Sequence, residues 1–132
     1  MKLIAHISRD GARVQTVEEH CRNTARLCAG YCKLFGAETI GTLAGALHDA
    51  GKLCTDFQSY INGKSNFRRG DIDHSYAGAR YIMEAAEPEC ADAARLIARV
   101  IISHHGLHDW VDDHCKDYFN ARISNDRNYE EI

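Results

Sequence analysis

The sequence predicts an all-α bundle of five to six helices with, at most, one small β-hairpin at its N-terminus. Two observations carry this. Apolar residues recur at helical spacing through Val17, Cys21, Ala25, Cys28, Tyr31, Cys32 and Phe35. Helix start and stop signals then bracket one stretch after another along the chain. With 132 residues, 45% of them apolar and a single proline, the chain suits one compact domain with a hydrophobic core.

The elements follow in order. Leu3–Ser8 has strand character, Asp10-Gly11 is a turn dipeptide, and Arg13-Val14-Gln15 returns as a second short strand. Thr16 and Glu19 form a capping box that opens a helix to Leu34 or Phe35, closed by Gly36. A second helix spans Glu38–Ala50, with Gly41, Ala44, Gly45 and Ala46 letting a neighbour approach closely. A short helix runs from Thr55 or Asp56 to Tyr60 and stops at Asn62-Gly63. The polar loop 63–73 follows. Asp73 caps a helix over Ser75–Ala86, and Pro88 suits the first position of the next, which runs to Ser103 before Gly106. The tail Leu107–Ile132 carries a last helix from about Asp113 to Ile123.

Formal net charge is -3, which argues against a domain that coats duplex DNA on its own electrostatics. The N-terminus has no long apolar signal region and no 18-residue apolar run exists, so a cytoplasmic protein without a membrane partner is expected. The six cysteines, Cys21, Cys28, Cys32, Cys54, Cys90 and Cys115, contain no C-x-x-C pair and read as small buried hydrophobes.

The chemistry lies in an ordered series: His20, His48-Asp49, His74, His104-His105. Five imidazoles and a carboxylate on several helices suit divalent transition metals rather than core packing. Neighbouring helical residues point about 100° apart, so His48 and Asp49 would converge only on a large object such as a dinuclear cluster. Asp49 could bridge two cations. Gly51 would leave room for a phosphate, and Lys52 could pair with its oxygen. Arg68, Arg69 and Lys64 could guide a phosphate backbone, though a solvated loop also explains them. Trp110, Tyr118 and Phe119 read as core rather than as base-stacking groups, and His6, His108 and His114 as surface groups or supports of the ligands.

The order and spacing resemble the HD superfamily of metal-dependent phosphohydrolases. His48-Asp49-Ala50-Gly51-Lys52, Asp73-His74-Ser75 and His104-His105-Gly106 are similar to the HD nuclease domain of CRISPR-associated type I helicase-nucleases, and Ile4-Ala5-His6 resembles that family's start. The resemblance implies an HD-domain helical bundle over residues 1–132 that cuts single-stranded DNA with two divalent ions. It also implies a helicase module, fused or separate, and a CRISPR surveillance complex. Carried over by motif, His20, His48 and Asp49 hold the first metal and His74, His104 and His105 the second. Asp49 bridges them, and Lys52 serves the phosphate. Imidazole ligands favour manganese, iron, cobalt or nickel over magnesium.

The family adds a late aspartate to the first metal, and no aspartate among Asp109, Asp112, Asp113, Asp117 and Asp126 stands in a matching context. The expectation is an N-terminal fragment that holds its first metal weakly. Two rival functions stand beside the nuclease: an HD phosphohydrolase of nucleotides or signalling phosphodiesters, and an interaction module that has lost its metal.

Overall fold

A computed structural model describes residues 2–106, 118–124 and 129–132. It shows a helical domain with one two-stranded antiparallel sheet at the N-terminus, as the sequence predicts. Strands β1 (Ile4–Ile7) and β2 (Val14–Thr16) pair Ile4 with Thr16, His6 with Gln15 and Ile7 with Val14, with an irregularity between Ile4 and His6. The turn forms at Asp10-Gly11. The Asp10 carboxylate accepts from Ala12 N–H and the Ser8 hydroxyl, and Gly11 takes φ 70°, a left-handed conformation that favours glycine.

Helix α1 (Val17–Cys32) starts as expected, with Thr16 Oγ1 accepting from Glu19 N–H at 3.1 Å. It ends through a 3₁₀ turn at Lys33–Phe35 and a left-handed Gly36. Helix α2 (Glu38–Leu47) then returns along it. Its glycines set the closeness of the pair: a Cβ on Gly41 would lie 2.6 Å from Cys28 O, and one on Gly45 would lie 2.6 Å from Ala25 Cα. This narrow contact corrects the predicted apolar stripe. Val17 and Ala25 are buried and Cys21, Cys28 and Cys32 half-buried, but Tyr31 and Phe35 lie off the contact and are 72% and 83% exposed. Of the other described cysteines, Cys54 is buried and Cys90 exposed.

Three boundaries move. Helix α2 stops at Leu47, three residues before Ala50, and Ala50–Leu53 form a separate 3₁₀ turn. After α3 (Thr55–Ile61), helix α4 (Tyr76–Ala85) begins after Ser75, because Asp73 accepts from Ser75 N–H and Oγ in a local turn instead of capping. Pro88 leads a 3₁₀ turn, Pro88–Cys90, and α5 (Ala91–Ile102) follows it. A further 3₁₀ turn, Ser103–His105, carries the paired histidines. Helix α6 (Tyr118–Ile123) ends where the sequence predicts, and its expected first turn lies outside the described residues. So do Trp110, His108, His114, Cys115 and all five candidate late aspartates.

The core is built where α2, α4, α5 and α6 meet: Ala44, Ala79, Ile97, Ala98, Ile101, Ile102 and Phe119. Phe119 is core, as predicted, with the Arg99 guanidinium 4.7 Å from its ring centre. The apolar face of α5 aims its C-terminal turn, and with it His104, into the middle of the domain. No described helix is long and apolar enough to cross a membrane.

Because Ile101 is fully buried in this core, Ile101→Ala should cost about 2–5 kcal/mol of stability. Tyr31→Ser, at an exposed site, should stay within about 0.5 kcal/mol of the wild type. Urea denaturation of the two variants measures this, and near-wild-type stability of Ile101→Ala would place the core elsewhere.

Candidate metal centre

The end of α2 sets the geometry. His48 still has helical backbone and bonds to Ala44 O, whereas Asp49 leaves the helix at φ -112°, ψ 20°. The two side chains therefore do not sit on a continuous helix, 100° apart, as the sequence reading assumed. The chain bends between them, and both reach one point: His48 Nε2 lies 3.2 Å from Asp49 Oδ2.

Asp49 is 2% exposed, and its two oxygens face different groups. Oδ2 lies 2.9 Å from His20 Nε2, 3.2 Å from His48 Nε2 and 2.8 Å from Lys52 Nζ. Oδ1 lies 3.5 Å from His74 Nε2 and 3.4 Å from His104 Nε2. Within each group the nitrogens are also close: His20 Nε2 to His48 Nε2 is 3.0 Å, and His74 Nε2 to His105 Nε2 is 2.8 Å. Metal–ligand bonds of about 2.1 Å put adjacent donors on an octahedral ion about 3.0 Å apart, so these spacings suit ligands of one ion.

The far sides of four of the rings are tied to the scaffold. His48 Nδ1–H donates to Gly45 O at 2.8 Å and His104 Nδ1–H to Ile101 O at 2.6 Å. His74 Nδ1 lies 3.3 Å from Ile72 O, and His20 Nδ1 lies 3.2 Å from Gln15 Oε1. These bonds place the proton on Nδ1 and leave Nε2 as a lone pair aimed inward, the usual arrangement around a ligating imidazole. The consequence is sharpest at His104. Its Nε2 and Asp49 Oδ1 are both buried and both acceptors, and among the described residues neither has a hydrogen-bond donor. Buried acceptors facing one another at 3.4 Å call for a cation between them. The donor set thus fits divalent ions, with Asp49, His74, His104 and His105 forming one group that could hold a metal.

A profile described as HD domain matches residues 17–129. The chain belongs to the HD-domain family. No curated protein matches it. Family membership and the His/Asp cluster together make this HD domain a metal-dependent hydrolase of the phosphohydrolase type.

The HD domain brings together all six sequence-predicted ligands, His20, His48, Asp49, His74, His104 and His105. Lys52 joins them, buried against Asp49 with its ammonium 5.5 Å from the Phe57 ring centre. Gly51 has a different role from the one expected. It is buried, and a Cβ there would collide with the backbone of His74, so its missing side chain lets two ligand segments touch and opens no phosphate path. Arg68 and Arg69 line a cleft of about 620 Å³ with Lys52, His74 and His105, whereas Lys64 borders a separate depression beside Lys2 and Leu3.

One contributor was missed by sequence reasoning. Gln58, buried in α3, accepts from Ile4 N–H and donates to Ile4 O and Lys52 O, which locks the hairpin to the Lys52 turn. His6, read from the sequence as a surface group or a support of the ligands, is exposed and sits with Lys52, its Nε2 3.4 Å from Nζ. Gln58 has no spacing signal, since it acts on Ile4 across 54 residues.

Electrostatics follow from burial. Burial opposes ionisation of Asp49, but His104, His48 and Lys52 outweigh it and hold the carboxyl far below the usual range. Burial pushes His74 down to about 4 and also lowers His6, His20 and His105. Burial pulls on His48 too, but the hydrogen bond and charge of Asp49 and the Gly45 carbonyl raise it overall.

The sign for stability follows. In the unfolded chain these imidazoles regain a value near 6.5. As pH falls from about 6.5 toward 4, the unfolded chain binds more protons at His6, His20, His74 and His105, which destabilises the fold. The raised His48 acts oppositely, and Asp49 contributes undiminished until far lower pH. Four groups outweigh one, so with chelator present the urea midpoint should be lower at pH 5.0 than at pH 7.5. An equal or higher midpoint at pH 5.0 would contradict this account.

Proposed function

We propose that this HD domain is a two-metal nuclease that cleaves single-stranded DNA in CRISPR antiviral interference. One observation carries the two-ion reading: a single buried carboxylate turns each of its oxygens to a separate set of imidazoles. The motif resemblance around His48-Asp49-Ala50-Gly51-Lys52, Asp73-His74-Ser75 and His104-His105-Gly106 supports the choice of nuclease. It also supports the partners, a helicase module and a surveillance complex that present the strand.

In this reading His20, His48 and Asp49 hold one cation, and Asp49, His74, His104 and His105 the other. Such a pair supplies Lewis acidity to a phosphodiester and to the water that attacks it. The imidazole-rich set selects manganese, iron, cobalt or nickel over magnesium. Lys52 lines the cleft wall beside Asp49 and offers its ammonium to a phosphate oxygen. Arg68 and Arg69 line the same cleft and suit the flanking phosphates, while half-buried Tyr60 borders it with a ring suited to a base.

A second reading, hydrolysis of a nucleotide or signalling phosphodiester, draws on the cleft itself. Its volume of about 620 Å³ lies within the range of small-ligand pockets. The metal-free interaction module is disfavoured by the buried acceptors of Asp49 and His104, which an unmetallated core has no reason to keep.

The test compares single-stranded DNA with nucleotides and cyclic dinucleotides across manganese, cobalt, nickel and magnesium. Single-stranded DNA should be cut, best with the first three metals. Asp49→Ala should lose both ions and reduce cleavage by more than about 100-fold, while His48→Ala should weaken only one ion. Turnover of the small substrates without DNA cutting would move the function to the second reading, and normal metal content in Asp49→Ala would remove the bridge.

A further inference from the structure

The hairpin brings to the centre a histidine that the family match does not reach. His6 lies on β1, outside residues 17–129. Its ring stands edge-on to His20, with centroids 4.6 Å apart and planes at 74°. One ligating nitrogen of His6, one of His20 and a carboxylate oxygen of Asp49 all lie within 4.8 Å of one another. His6 Nε2 and Asp49 Oδ2 already share a cation, since Lys52 Nζ lies 3.4 Å from the first and 2.8 Å from the second. Their lone pairs therefore point to a common place.

This position is built into the fold. Gln58 holds both the N–H and the C=O of Ile4, and Ala5, the next residue, is buried. Across the sheet His6 pairs with Gln15, whose side chain bonds His20 Nδ1. The backbone is thus fixed from both sides, while the His6 ring is exposed and borders the cleft beside Lys52.

We propose that His6 is the fourth protein ligand of the first cation, beside His20, His48 and Asp49 Oδ2. The inference rests on the metal-centre reading above and specifies its donor set. Among the described residues, two imidazoles and one carboxylate oxygen alone would leave that ion short of donors. Ligands on opposite sides of an octahedral ion stand about 4.2–4.4 Å apart, and the His6 donor stands within 4.8 Å of those of His20 and Asp49, close to that span. A third nitrogen makes the first site more selective for cobalt, nickel or zinc against magnesium.

Zinc alone is the probe, with no substrate present. Bound zinc is counted after equilibrium dialysis, and histidine ring ¹⁵N shifts are followed during titration. The wild type should bind two ions, with a shift of the His6 ring nitrogen. His6→Ala should keep one ion at wild-type affinity and bind the other at least about tenfold more weakly. His6→Asp, which restores a donor, should recover that affinity. The retained ion reports that the fold is intact. Unchanged binding of both ions by His6→Ala, or an unmoved His6 resonance, overturns the proposal and leaves the metal centre standing. Loss of both ions would make His6 structural and also overturns it. A wild type that binds no zinc overturns the metal centre itself, and the His6 assignment with it.

Discussion

The buried Asp49 carboxylate is the constraint on which the rest of the structure depends. An isolated carboxylate removed from water is costly, and it survives only where cations or donors surround it. Here one ammonium, from Lys52, and four imidazole nitrogens lie within 3.5 Å of its two oxygens. The imidazoles come from α1, the end of α2, the loop before α4 and the turn after α5. A single acidic side chain therefore ties together most of the helices that the hydrophobic core also joins. The two sets of forces have different centres. The core of Ile97, Ile101, Ile102 and Phe119 holds α5 in place, and the polar cluster uses the end of α5 that this packing presents.

Close backbone contact is the second requirement. Ligand atoms on separate elements must meet within about 3 Å, which side chains between those elements would prevent. Gly45 brings α2 against α1 at Ala25, and Gly51 brings the Lys52 turn against His74. Gly78 does the same between α4 and Leu47, the last residue of α2. Gly45 and Gly78 lie within helices and Gly51 within a 3₁₀ turn, and none of them takes a left-handed φ. Each stands where a methyl group would separate the ligand-bearing segments.

The loop that carries His74 is fastened independently. Arg122 on α6 donates to both oxygens of Asp73, at 3.0 and 2.8 Å, and to Ser75 Oγ at 2.6 Å, so the residues on either side of His74 are held. Burial disfavours the Asp73 carboxylate, yet Ser75 and Arg122 hold its pKa below the usual value. Further along, Tyr129 donates to Glu84 at 2.8 Å, and Glu131 accepts from Thr55 N–H at 2.9 Å. The described parts of the C-terminal stretch thus clamp α3, α4 and the His74 loop.

Sequence alone determined the helical class, the hairpin, most element positions and the six side chains that the fold gathers at one centre. It could do so because helix periodicity, caps and glycine stops are local, and because His20, His48-Asp49, His74 and His104-His105 are rare residues in a readable order. The tertiary structure decided what depends on contact between distant segments. It ended α2 at Leu47, so that His48 and Asp49 converge, and it turned Gly51 from a phosphate path into a packing contact. It left Tyr31 and Phe35 outside the core although they share the helical spacing of buried Val17 and Ala25. It brought His6 and Gln58 to Lys52 across separations of 46 and 6 residues, and Gln58 to Ile4 across 54. Periodicity reports which face of one helix is apolar. It contains no information on which side chain from another element will share a buried charge, and that is set only when the chain closes around Asp49.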